Sequence, residues 1–211
     1  MKTSHLIDLL ARGSGAAPRG VVGRRLGPAL AIGLAISAGI SVLGLGLNPG
    51  LFSMGAALAL KLAYVAGLTA SAAWMAARLA RPGAPWLRAA ATVIFVIASM
   101  CVPALIAWMQ AGAAQHGELL YGRSWTTCPW RVAALSAPAL LLGFWAIRGL
   151  APTRLRLAGA AAGLTAGGIG AFGYALHCPE VSPVFVLTWY TLGMLVPAAI
   201  GVLLGPRLLR W

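Results

Sequence analysis

The chain has 211 residues, 60% of them hydrophobic and 9% charged, with a mean hydropathy of +0.87. That composition excludes an ordinary soluble domain and describes a polytopic membrane protein. Three acids, Asp8, Glu118 and Glu180, leave little room for acid–base chemistry, so neither an enzyme nor a cofactor is expected; the net charge of +13 reflects arginines set between apolar runs, a mark of membrane topology rather than of nucleic-acid binding.

Residues 1–25 read as a cytoplasmic tail without a cleavable signal, because they are polar and basic and no A-x-A-like site follows the first apolar run. Ser4 can cap a short helix with Leu6, Ile7, Leu9 and Leu10 on one side, and Arg12-Gly13 can end it. A helix this short is unstable alone in water. It is expected to fold on the membrane or on a partner, with Leu6, Ile7 and Leu10 as anchors, tethered by the flexible link Gly13 to Gly20.

Residues 26–211 are expected to form an all-α domain of six transmembrane helices, over 26–47, 53–77, 89–110, 132–147, 157–176 and 184–204. The fourth run is the shortest and has room to begin earlier, around Trp130. A run of about 20 apolar residues crosses a hydrocarbon core of roughly 30 Å. Orientation follows from the basic residues. With the N-terminus inside, Lys2, Arg12, Arg19, Arg24, Arg25, Arg78, Arg81, Arg88, Arg148, Arg154, Arg156, Arg207 and Arg210 all face the cytoplasm. Only Arg123 and Arg131 face outward, and Lys61 lies within the second run. Both termini are therefore expected inside.

Two outward segments carry the chemistry. Loop 111–131 holds His116, Glu118, Tyr121, Arg123, Trp125 and Cys128, and turn 177–183 holds His177, Cys178, Pro179 and Glu180. Runs four and five are joined by a short connection, so their outer ends should lie within one helix spacing. Cys128 and Cys178 can then be neighbours although they are 50 positions apart. A structural disulfide is one reading; a soft metal held by both sulfurs, with His177, His116 or Glu180 completing the set, is another. No C-x-x-C occurs, and with three cysteines at least one stays unpaired within a monomer. Cys101, mid-span, counts as a small apolar residue.

Lys61 is an ammonium inside a span. It either belongs to an ion path or reaches the outer headgroups past Leu58, Met54 and Phe52. No intramembrane Asp or Glu partners it, which weighs against a transporter. The small residues spaced four apart between Gly159 and Gly170 predict close internal helix packing. Trp108, Trp125, Trp130, Trp189 and Tyr190 fit an interfacial aromatic belt.

Certain residues carry a family resemblance. They are Cys128 ahead of Leu135-Ser136, Gly170 to Leu176, and the turn His177-Cys178-Pro179-Glu180-Val181-Ser182-Pro183. Phe185, Trp189, Tyr190, Gly193 and the ending Arg207 to Trp211 continue it, with Leu60-Lys61-Leu62 and Leu6 to Leu10 upstream. On these residues the chain resembles the NrsF family of multispan membrane anti-sigma factors; Pro129, directly after Cys128, departs from the aliphatic residue expected there. The resemblance implies a bacterial inner-membrane protein whose cytoplasmic side holds an extracytoplasmic-function sigma factor of the sigma-F type. It also implies that Cys128 and Cys178 sense oxidative stress or a transiently bound heavy-metal ion. The rival readings are a small transporter, a membrane thiol oxidoreductase and a structural scaffold. Against the first two stand the lack of intramembrane acids or a clear inverted repeat, and the lack of cysteines at redox spacing.

Overall fold

In hydrocarbon every backbone N–H and C=O must be satisfied within its own segment, so long apolar runs become helices. The computed structural model describes Thr3, His5, Ile7, Asp8 and residues 20–210. Within them lie six helices long and apolar enough to cross a membrane, together with one short helix. They are α1 (Val21–Leu45), α2 (Leu51–Leu79), α3 (Leu87–Gln110), the short α4 (His116–Tyr121), α5 (Cys128–Arg148), α6 (Leu155–Ala175) and α7 (Pro183–Leu208). No strand occurs among the described residues. Of the expected tail anchors, Ile7 is helical and exposed, whereas Leu6 and Leu10 lie outside the described residues.

The shift from the sequence boundaries that bears on the site is at the fourth long helix. Residues 128–131, expected in the loop, form its first turn, with Pro129 in an initial position where its missing N–H costs no helical bond. Cys128 N–H donates to Ser124 O at 2.8 Å, which fixes the entry of the chain into α5.

α6 is the central helix, buried along nearly its whole length. Its small residues allow the others to approach. At Gly159 and Gly163 a Cβ atom would overlap the backbone of Gly201 and Pro197 on α7, so these two helices touch through main chain. Gly170 meets the Val132–Ser136 turn of α5 in the same way, and Gly173 lies against Ser37 of α1. The small-residue stripe is thus spent on internal packing, mostly against α7. The outward faces are apolar: Ile94, Phe95, Val102, Leu105 and Met109 of α3 and Leu141 and Trp145 of α5 are exposed, as a bilayer-facing surface requires.

The bundle has two unlike ends. At one, Arg25 and Arg148 flank a surface depression beside Trp145, and Arg81 and Arg154 flank another beside Trp86, with the Arg154 guanidinium 5.3 Å from the Trp86 ring centre. At the other end lies a core of Cys128, Val132, Tyr174, Cys178, Phe185, Tyr190 and Met194.

Candidate functional site: an occluded thiol pair

α6 ends at Ala175, and its last carbonyls are capped locally. His177 N–H and Cys178 N–H both donate to Tyr174 O, at 3.0 and 2.9 Å. The chain then runs irregularly to Pro183, which starts α7 with a fixed φ suited to a first helical position. Asn48 N–H donates to Leu176 O at 3.0 Å, tying the segment after α1 to this turn.

Cys178 in the turn and Cys128 at the head of α5 are both free thiols with 0% exposure. The structure brings them together in one buried cluster, and Ser124 Oγ lies 3.8 Å from the Cys178 sulfur. The Cys178 thiol is pulled well below the ordinary thiol range. Hydrogen bonding from the neighbouring Cys128 thiol is the main cause; the Lys61 ammonium, the Tyr190 hydroxyl and the Glu180 N–H add to it, against the opposing effect of burial. Tyr190 OH is buried with no hydrogen-bond partner, in the cluster that holds both sulfurs.

The other expected donors point elsewhere. His177 Nδ1 lies 3.1 Å from Gly46 O; donating there leaves Nε2 to accept from Arg131 Nη1 at 3.2 Å. Glu180 Oε1 accepts Arg123 N–H at 2.8 Å. His116 stacks on Trp108, with ring centres 4.0 Å apart, and its Nε2 lies 3.1 Å from Trp108 O. Among the described residues no three His, Cys, Asp or Glu side chains gather at metal-binding range. The expected set of Cys128, Cys178, His177 and Glu180 is therefore not assembled: its imidazole and carboxylate are occupied by Arg131 and by the Arg123 main chain.

Lys61 does not reach for headgroups. It is fully buried, and its Nζ donates to Cys178 O at 3.0 Å and Glu180 O at 2.9 Å, 4.7 Å from the Tyr190 ring centre. An ammonium in a helix bundle needs acceptors, and an irregular turn supplies carbonyls that helical hydrogen bonding leaves free. Tyr190 likewise leaves the aromatic belt, being fully buried against Tyr174 with ring centres 6.0 Å apart. It sits in a π-helical segment of α7, Val186–Tyr190, a distortion frequent at functional sites. Sequence reasoning passed over Tyr190, Tyr174 and Ser124 in this role. The legible signal was a lone intramembrane lysine, which needs acceptors from a break in helical backbone unless it reaches the headgroups.

A cover closes the site. Trp189 Nε1 donates to Leu120 O at 2.7 Å and Ser182 Oγ to Leu119 O at 3.0 Å, binding the α4 segment to α7 and to the turn. Tyr121, Trp125 and Trp189 form an aromatic cluster above it, with neighbouring ring centres 5.3 to 6.5 Å apart.

These features define a class: a helical bundle of span-length helices with a shielded dithiol at one end and an arginine-rich surface at the other. The chain belongs to the NrsF family, described as negative regulator of sigma F, whose profile matches residues 10–211. It is similar to the probable anti-sigma-F factor NrsF of Azospira oryzae, with 41% identity over 216 residues, and to the anti-sigma-F factor NrsF of Caulobacter vibrioides, with 40% over 217 residues. Each alignment covers all of both chains. No solved structure matches.

Proposed function

We propose that this chain is a multipass inner-membrane anti-sigma factor that holds an extracytoplasmic-function sigma factor of the sigma-F type at its arginine-rich, cytoplasmic end. It releases that factor when Cys128 and Cys178 on the outer side are oxidised to a disulfide. The observation that carries this reading is the thiol pair itself: two buried sulfurs, one from the head of α5 and one from the turn before α7, apposed yet unbonded, with the ionisation of one eased. A thiolate facing a thiol is the reacting arrangement for oxidation by a hydroperoxide, whereas a metal would have the two sulfurs and no third ready donor. Support for the partner comes from the family and from the names of the two full-length relatives. The orientation rests on the basic residues.

Release requires the oxidised pair to favour a different helix arrangement from the reduced pair; otherwise oxidation shifts no equilibrium. The site has the connections for this. The turn holds α2 through Lys61 and the segment after α1 through His177 and Asn48, so displacement of Cys178 bears on both. The test is a reporter driven by a sigma-F-dependent promoter. Deleting the gene turns the reporter on, the intact gene keeps it off, and a hydroperoxide turns it on only when both cysteines are present. A reporter that stays silent after deletion removes the anti-sigma reading.

A further inference from the structure

Lys61 has a role beyond filling space. Its Nζ is fully enclosed, and its partners are two main-chain carbonyls and the face of an aromatic ring, all neutral. The one acid in the turn, Glu180, offers its carbonyl to Lys61 but turns its carboxylate to Arg123 N–H. Arg131 is engaged with His177. A buried ammonium surrounded by neutral dipoles is under-compensated, and a carbonyl of the thiol-bearing residue itself is one of its acceptors. The group best placed to balance it is the Cys178 sulfur, ahead of the Glu180 carboxylate.

We propose that Lys61 sets the redox poise of the thiol pair, favouring the reduced state by balancing negative charge on the Cys178 sulfur. The inference rests on the dithiol reading above. Oxidation removes that charge. The Cys178 thiolate and the Cys128 thiol form one S–S bond and release one proton and two electrons. A hydroperoxide accepts both electrons as its O–O bond breaks, and that proton with one from solvent completes an alcohol and water. The product strands the Lys61 ammonium beside a neutral disulfide. The reduced pair is thereby the resting state, and the disulfide is the high-energy one that pushes on α2. The depressed ionisation of Cys178 agrees with this arrangement. A dithiol whose reduced form is stabilised in this way makes an oxidising, readily reversed disulfide.

The test uses the purified full-length chain in lipid nanodiscs, carrying Cys101→Ser so that only the pair titrates. It is equilibrated at pH 7 with reduced and oxidised glutathione, and the disulfide fraction is read by mass after alkylation in denaturant. Lys61→Met moves the midpoint toward the disulfide by about tenfold in equilibrium constant, about 30 mV for a two-electron couple. Lys61→Arg stays close to the parent. A merely structural role gives the opposite sign, because displaced sulfurs bond less readily. Lys61→Gln, which keeps an amide donor for the carbonyls but no charge, carries the same test if the Met variant aggregates. An unchanged midpoint in the neutral variants, or a shift toward the reduced pair, overturns the proposal. Because no sigma factor is present, this result is independent of whether the thiols control release. Loss of induction in the cysteine variants reports on that separately.

Discussion

Cys128 and Cys178 lie 50 positions apart in the chain and meet as two enclosed thiols in one buried cluster. A structural disulfide there would stabilise the fold by roughly 2–4 kcal/mol. A sensor pair would not be needed for folding. The packing favours the second: α6 is held to α5 and α7 through glycine contacts that do not involve either sulfur. Cys128→Ser and Cys178→Ser are each expected to keep near-normal protein levels and to repress, but to lose induction. Reporter output and immunoblotted protein are measured together. Constitutive output with vanishing protein would mean that the sulfurs are a staple.

The ionisation of Cys178 predicts a pH profile. A group with lowered folded pKa keeps its charged form above that value and loses it only as pH falls through it. An ordinary thiol, near 8.5, gains reactive thiolate about tenfold per unit as pH rises toward that value. The thiolate ultraviolet absorbance of the full chain, taken as the difference from Cys178→Ser, should therefore change less than about twofold between roughly pH 7 and pH 8.5. A steep rise across that interval would contradict the lowered value.

Helix contact through main chain predicts a sharp size limit. At Gly163 a side chain would meet the Pro197 backbone, while at Gly143 nothing lies within 4 Å. Gly163→Leu should cost at least about 1–3 kcal/mol through overpacking and lower both thermal stability and yield. Gly143→Ala should leave both unchanged. Melting of the two detergent-solubilised variants decides it, and equal behaviour would refute the packing account.

Orientation can be read by labelling intact cells. A cysteine introduced at exposed Gln115, beside α4, should react with an impermeant maleimide. Cysteines at exposed Arg81 and Thr153, at the arginine-rich end, should react only after lysis. The reverse pattern would place the thiol pair in the cytoplasm and end the proposed division of labour.

The tail offers a further test. Its apolar positions Leu6, Ile7 and Leu10 suit a helix that folds on a partner, and Ile7 is 60% exposed in the isolated chain. Removing residues 1–12 should derepress the reporter without oxidant while the protein still inserts. Continued repression by an inserted deletion protein would assign sigma-factor binding to the arginine-rich connections alone.

What the sequence determined by itself is what one-dimensional physics determines. Apolar runs of bilayer length specify the six long helices, the arginine distribution distinguishes their ends, and small residues four apart mark the face of α6 that packs. The short connection between α5 and α6 even puts Cys128 and Cys178 at one end. Tertiary structure decided the rest, because it turns on directions rather than positions. Whether Lys61 points to lipid or inward depends on where a broken helix leaves carbonyls free, and that turn is more than a hundred residues away in the chain. Whether His177 and Glu180 serve the thiols depends on Arg131 and Arg123, which claim them first. The same is true of Tyr190: its residue type suits a membrane surface, and only the packing of α7 against the turn brings its hydroxyl to the sulfur.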